Sequence, residues 1–262
     1  MAYHLPRLLI IPGLNDSGPA HWQSWLQRQH RDARRVVQRD FSTPDLARWA
    51  ERIHSTVQSA GEGPWLAVAH SFGVLALARY LADHGGNAVQ QALLVAPADP
   101  DRFGLAELLP QGRLPITTQL IASTNDPWMD AAAALRWARR WGAHHRNLGA
   151  VGHINAESGF GPLPLAQRWV EWHRARAAAE QRFNLETAVG PARGTAEAGP
   201  GQGVTTKWAN AHEKEQHRPG PEAADQREGS GGHRSNARSK RRKVLNARGA
   251  RGAASGQLRF LG

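Results

Sequence analysis

Residues 65–83 read WLAVAHSFGVLALARYLAD. The first five, Trp65 to Ala69, form a compact apolar run typical of a buried strand. From Phe72 to Asp83 the apolar side chains recur at helical spacing. His70 and Ser71 fall at the junction, and a small residue stands two positions on either side of the serine. This pattern predicts a nucleophile elbow, a strand-to-helix turn that exposes a serine hydroxyl.

The elbow departs in one position from the usual Gly-x-Ser-x-Gly pattern, because Ala69 replaces the first glycine. Small residues are needed there because the strand and the following helix approach each other closely. Alanine still fits, and Gly73 keeps the second position open. The alternative interpretation of Ser71 is a helix N-cap, a common position for serine.

Working outward from this elbow, apolar strands alternate with amphipathic helices through residue 180. The pattern predicts strands at 7–11, 34–40, 65–69, 92–96, 118–122 and 144–148, and helices at 19–30, 44–60, 72–83, 131–141 and 164–179. Single helices between strands indicate a three-layer α/β fold with a mostly parallel central sheet. Right-handed crossovers then place functional residues at the carboxyl ends of the strands.

Two further residues follow predicted strands and complete a Ser, Asp, His order typical of α/β-hydrolases. Asp126 follows the strand at 118–122, and His153 follows the strand at 144–148. In this interpretation His153 takes the Ser71 proton and returns it to the leaving group, while Asp126 orients the imidazole. Near neutral pH an imidazole can both accept and donate a proton, as this role requires.

Each of these two assignments has an alternative. Asp126 precedes a proline and is also typical of a turn aspartate. Asp130 is the fallback acid, whereas Asp99 and Asp101, after the preceding strand, are less favoured. The chain has 13 histidines, most of which we expect on the surface. His153 is preferred over His144 and His145 because it follows the last strand.

Acyl transfer also needs backbone donors for an oxyanion. We expect one from the amide of Phe72, directly after Ser71, and one from Leu14 in the loop 13–18 after the first strand. A phosphate-binding glycine loop is the competing interpretation of 13–18, but neither Gly-x-Gly-x-x-Gly nor a Gly-Lys-Ser/Thr ending is present.

Several aromatic residues lie close to these motifs. His21 and Trp22, with Trp25, either pack a helix on the sheet, which is the preferred interpretation, or form a wall of the site. Trp128 either lines an acyl pocket or covers the sheet. No metal-ligand spacing stands out, and we expect no metal or other cofactor.

Composition divides the chain near residue 182. Residues 1–182 carry a formal net charge of +4 and nine of the ten tryptophans, whereas residues 183–262 carry +7 and all four lysines. The second part has no periodicity and little to bury, so we expect a hydrolase domain at 1–182 and a disordered basic tail at 183–262. An alternative is that the tail is a shifted or read-through frame of a GC-rich gene.

Charge and residue usage also limit the partners. The basic run 238–243 could bind nucleic acid or another anion non-specifically. With no cysteine in the chain, disulfides and thiolate sites are excluded. The apolar run at 8–11 is too short for a signal peptide or a membrane span, so we expect a cytoplasmic protein with no membrane contact.

With these residues in view, the chain resembles the small YdeN-like serine hydrolases, the family that includes retinoblastoma-binding protein nine. The matching strings are Ile11-Pro12-Gly13, Ser17-Gly18-Pro19-Ala20-His21-Trp22, Ala69-His70-Ser71-Phe72-Gly73, Ser123-Thr124-Asn125-Asp126-Pro127-Trp128, and Gly152-His153-Ile154-Asn155 leading into Gly159-Phe160-Gly161. The likeness covers about residues 5–180 and none of the tail. It implies a compact α/β-hydrolase fold without a large lid, acting on small esters or amides, with Ser71 as nucleophile, Asp126 as acid and His153 as base.

Residues and resemblance together predict a serine hydrolase that cleaves small carboxylic esters through an acyl-enzyme. One alternative keeps the same three residues but acts on a peptide or another amide. The other is a hydrolase-like scaffold that binds a partner without catalysis, against which the complete set of three residues argues.

Overall fold

The computed structural model describes residues 5–61 and 63–189 as a six-stranded sheet between two layers of helices. Its strands are β1 (Arg7–Ile11), β2 (Arg34–Arg35), β3 (Trp65–Ser71), β4 (Val89–Pro97), β5 (Thr117–Ala122) and β6 (His144–Asn147). Its α-helices are α1 (Trp22–Gln29), α2 (Leu46–Ser59), α3 (Phe72–His84), α4 (Ala131–Trp141) and α5 (Pro164–Val189), and two short 3₁₀ helices span Pro100–Phe103 and Ala106–Leu108.

All strand pairs are parallel, in the order β2-β1-β3-β4-β5-β6. Strand β2 is added on one side of β1 and β3 on the other, so the strand order reverses between β1 and β3. Ligand sites of open α/β sheets lie at such a point. The prediction of a three-layer α/β fold is confirmed, and the sheet is parallel throughout rather than mostly so.

The alternating faces of the strands explain the two helix layers. Leu9 and Ile11 of β1 share one core with α2, α3 and α4, whereas Leu8 and Ile10 share the other with α1 and α5. Because successive strand side chains point to opposite faces, a sheet buried on both sides needs continuous apolar runs. The run Leu8 to Ile11 is such a strand, and its side chains are fully buried.

The structure differs from the sequence expectations mainly at element ends. Strand β2 keeps only two of the seven predicted residues, as an edge strand that pairs with β1 alone. Helix α5 continues through Val189 instead of ending near residue 179, because no glycine or proline interrupts residues 180–189. Its last turns expose Phe183 and Leu185, so no burial pattern marked them as helical.

The predictions about the tail fall mostly outside the described residues. The described helix covers 183–189, and the predicted disorder and anion binding of 190–262 stay predictions. Within residues 5–61 and 63–189, no helix combines the length and the apolar character needed to cross a membrane.

Candidate active site

Three side chains from distant parts of the sequence meet at the carboxyl edge of the sheet. Ser71 ends β3, while Asp126 and His153 lie in the loops that follow β5 and β6. The Nε2 atom of His153 lies 2.9 Å from Ser71 Oγ. Its Nδ1 atom lies 2.9 Å from each carboxylate oxygen of Asp126. The sheet therefore brings together all three predicted residues in one hydrogen-bonded chain.

The direction of these hydrogen bonds follows from their partners. An ionised carboxylate only accepts, so the imidazole carries its proton on Nδ1 and donates it to Asp126. Nε2 is then free to accept from the Ser71 hydroxyl. The side chains of His153 and Asp126 are 7% and 2% exposed, so water competes little with this contact. This is the arrangement in which an imidazole can serve as a base toward a serine.

The backbone at Ser71 has the strained turn expected of a nucleophile elbow. Its φ is 54° and its ψ is −125°, and its side chain makes no cap hydrogen bond to helix α3. A non-glycine residue with positive φ is uncommon and costs conformational energy. Ser71 occupies the N-cap position of α3, as the alternative interpretation had it, but its hydroxyl contacts His153 instead of capping the helix.

The Asp126 carboxylate contacts both a local backbone amide and the His153 ring. Its Oδ1 also accepts the amide of Trp128 at 2.8 Å, so it closes a local turn while it contacts His153. The fallback residue Asp130 instead caps α4 through the amides of Ala132 and Ala133. Asp99 caps the first 3₁₀ helix. Of these aspartates, Asp126 is the one whose carboxylate also lies against His153.

The loop predicted to supply an oxyanion donor lies directly against Ser71. A Cβ atom placed on Gly13 would lie only 2.7 Å from the Cβ of Ser71. In this loop the amide of Asn15 donates to Phe41 O and that of Asp16 to Gly13 O. The Leu14 amide between Gly13 and Asn15 makes no such bond within the described residues. Phe72 begins α3, and the first amides of a helix have no intrahelical acceptor. The oxyanion role of both amides stays a prediction.

The loop that carries His153 is anchored by polar side chains that sequence reasoning did not assign to this task. Asn125 Oδ1 accepts the amide of Gly152 at 2.7 Å, and the hydroxyl of Ser158 accepts the amide of His153 at 3.1 Å. His70 lies 3.0 Å from the His153 carbonyl. The sequence offered one signal for this role, because His70 is a polar residue that directly extends the apolar strand at 65–69.

Trp22 packs helix α1 on the sheet, as the preferred interpretation predicted, in one core with Leu8 and Ile10 of β1. Trp22 is fully buried, and His21 is 6% exposed and caps α1 by accepting the amide of Gln23. Burial, helped by the positive charge of Arg35, lowers the pKa of His21 from 6.5 to about 4. His21 is therefore a neutral imidazole at pH 7, in edge contact with His70 at 4.8 Å between ring centroids.

Trp128 stands beside the site and does not cover the sheet. It is 43% exposed, and its ring centroid lies 6.3 Å from that of His153. Its carbonyl accepts the amide of Asp99, so the backbone that presents the indole is held in place. Within the described part of the chain, no group of three or more His, Asp or Glu side chains is arranged to hold a metal ion.

Comparisons with known proteins show the family and the fold of this chain. A sequence model of a family described as serine hydrolase matches residues 8–172. A solved structure described as a YdeN-like hydrolase, from Pectobacterium atrosepticum, shares 35% identity with a TM-score of 0.61, and the match covers 64% of this chain and 91% of that one. The ydeN gene product of B. subtilis shares 20% identity with a TM-score of 0.54, over 65% of this chain and 99% of that one, which supports the fold alone. A search of curated proteins found no match.

Proposed function

Because the chain belongs to the YdeN-like serine hydrolase family, we propose that it hydrolyses small carboxylic esters, with Ser71 as nucleophile, His153 as base and Asp126 as the acid that orients it. The observation that carries this proposal is the continuous hydrogen-bonded chain from Ser71 Oγ through both ring nitrogens of His153 to Asp126.

In the first half of the proposed reaction, Ser71 Oγ attacks the ester carbonyl while its proton passes to His153 Nε2. Negative charge develops on the carbonyl oxygen, and the amides of Leu14 and Phe72 are the proposed donors to it. His153 then returns the proton to the leaving alcohol, which departs and leaves an acyl group on Ser71.

In the second half, water takes the place of the alcohol. His153 removes a proton from the water as it attacks the acyl carbonyl, and gives that proton to Ser71 Oγ when the acid is released. The exchange restores the starting protonation of all three residues, so no cofactor is consumed. Asp126 keeps Nδ1 protonated throughout and stabilises the imidazolium that forms at each step.

The test is labelling by a fluorophosphonate probe together with hydrolysis of short p-nitrophenyl esters. We expect the wild-type protein to be labelled on Ser71 and to hydrolyse the esters. Ser71→Ala should lose all labelling and retain less than about one thousandth of the hydrolysis rate. A folded wild-type protein that the probe leaves unlabelled contradicts the proposal.

The same three residues could act on amides, so matched substrates are needed to define the reaction. Esters and anilides of one acyl group should be compared at equal concentration. We expect a higher kcat/KM for the esters, whose alcohol leaves more easily than an amine. A higher kcat/KM for the anilides would instead place the enzyme among the amidases.

A further inference from the structure

The backbone on both sides of His153 has the left-handed conformation, which is unfavourable at Ile154. Gly152 has a φ of 64° and Ile154 a φ of 50°. Glycine adopts this left-handed region easily, but a β-branched residue such as isoleucine does so only as a genuine outlier. Such a conformation persists only where surrounding contacts over-determine it. The contacts that hold this segment therefore set the position of the His153 ring.

Two buried side chains contact the two successive carbonyl oxygens of this segment. His70 Nε2 lies 3.0 Å from the carbonyl oxygen of His153, and Trp22 Nε1 donates to that of Ile154 at 2.8 Å. Neither donor is accessible, since Trp22 is fully buried and His70 is 5% exposed. Both bonds therefore form away from competing water, where the loss of a donor leaves a carbonyl unsatisfied.

The chemistry of His70 fixes the direction of its bond. Burial holds the pKa of His70 well below its ordinary value of 6.5, and the nearby imidazoles of His153 and His21 lower it further. A neutral imidazole carries one N–H, and a carbonyl oxygen can only accept. Nε2 is therefore the protonated nitrogen, and His70 donates to His153.

His70 also links the proposed nucleophile to the proposed base, because it is adjacent to Ser71 in the sequence and to His153 in space. It directly precedes Ser71 in β3, and its ring contacts that of His153 at 4.8 Å between centroids. The strand residue that presents the nucleophile is thus next to the residue that fixes the base. Trp22 adds an edge contact to His70 at 5.9 Å.

We infer that Trp22 and His70 are positioning residues, which fix the backbone of His153 through two buried hydrogen bonds and so set the distance from its Nε2 to Ser71 Oγ. This inference rests on the proposed function, because it assigns a task in relation to His153 as base. Small misplacements of reacting groups cost up to about 100-fold in rate. The loss of either bond should therefore lower kcat more than it changes KM.

The sharpest test compares two tryptophans that make the same kind of bond in different places. Trp141 is also buried, and its Nε1 donates to the carbonyl of Pro110 at 3.1 Å, but it packs in the other core, on the opposite face of the sheet from Trp22. Trp22→Phe and Trp141→Phe each remove one buried indole N–H donor and keep an aromatic ring. Active enzyme is counted by exhaustive fluorophosphonate titration, so that unfolded protein does not affect kcat.

We expect Trp22→Phe to lower kcat for a p-nitrophenyl ester by about 10- to 100-fold, with KM within about twofold. Trp141→Phe should keep kcat within about twofold of wild type, even if its melting temperature falls as far as that of Trp22→Phe. Equal kcat values for the two variants, per titrated site, would overturn the positioning role of Trp22.

A second pair of variants tests whether the N–H donor of His70 fixes the position of His153. His70→Leu removes the N–H, whereas His70→Gln retains an amide N–H at a similar reach. We expect the leucine variant to lose kcat as Trp22→Phe does, and the glutamine variant to recover most of it. Recovery no better than that of leucine would overturn the role of His70. Absence of labelling in the folded wild type is a different result, which refutes the proposed function and this inference with it.

Discussion

At the scale of single residues, the decisive choice is between two aspartates four positions apart. Asp126 and Asp130 follow the same strand, and both carboxylates accept backbone amides in local turns. Only Asp126 also contacts His153. The role of the acid therefore depends on where the β5 loop places each carboxylate, and not on its residue type.

This difference gives a prediction with an internal control. Asp126→Asn should lower kcat/KM by roughly 10³- to 10⁴-fold, because an amide can donate to Nδ1 and so favours the wrong imidazole tautomer. Asp130→Asn should stay within about twofold, since asparagine caps a helix as well as aspartate does. Steady-state hydrolysis of a p-nitrophenyl ester measures both. Similar losses in the two variants would show that Asp126 has no special role.

At the scale of secondary structure, the elbow depends on how closely α3 approaches the end of β1. A Cβ atom on Gly73 would lie 2.3 Å from Pro12 O and 2.7 Å from Ile11 O. A Cβ atom essentially never lies within 3.0 Å of such a neighbour, so the helix would have to move away from the strand. Such a shift would carry Ser71 with it, because Ser71 immediately precedes the helix.

We predict that Gly73→Ala lowers the free energy of unfolding by at least about 2 kcal/mol, as overpacking in a core does. Without the clash, alanine in a helix would instead stabilise by about 0.5–1 kcal/mol, so the sign of the change is informative. Gly18→Ala is the control, since a Cβ there meets no atom within 4 Å. Urea unfolding measures both, and a stable Gly73→Ala variant would contradict the close approach.

At the scale of the whole molecule, the buried imidazoles behind the site make stability depend on pH. Burial lowers the pKa of His21 from 6.5 to about 4 and that of His70 well below 6.5. Between about pH 4 and 6.5 the unfolded chain therefore binds protons that the folded chain does not. The free energy of unfolding then rises with pH in this window, and it falls as pH drops below 6.5.

For His21 alone, the expected loss between pH 7 and pH 4 is on the order of 3 kcal/mol. His21→Asn keeps an N-cap acceptor for the amide of Gln23 and removes the titrating group. The variant should consequently lose less stability than wild type over the same pH range. Urea unfolding at pH 7, 5.5 and 4 measures the difference, and parallel pH dependences would show that His21 does not contribute.

The location of the site within the chain predicts how much of the molecule catalysis needs. The residues of the candidate site lie between Gly13 and Ser158, and α5 ends at Val189. A protein ending at residue 189 should retain kcat and KM within about twofold. It should also lose any salt-sensitive binding to DNA, since residues 190–262 carry the basic run. Loss of hydrolysis on this truncation would contradict the independence of the domain from the tail.

The sequence by itself determined the layered fold and the three candidate catalytic residues. Apolar periodicity and turn chemistry are local properties, so the strand, elbow and helix at 65–83 could be identified from neighbouring residues. Ser71, Asp126 and His153 followed because each lies within a few residues of the carboxyl end of a predicted strand, and parallel strands bring these ends to one edge of the sheet.

Element ends, and the support of the His153 loop, depended on the tertiary structure. The edge strand β2 was shorter than its apolar pattern predicted, since it pairs with β1 alone. The bond from Trp22 to Ile154 spans 132 positions, and that from His70 to His153 spans 83. A hydrogen bond between one side chain and one distant carbonyl leaves no periodic pattern in the sequence. Only the folded chain brings the two groups within bonding distance.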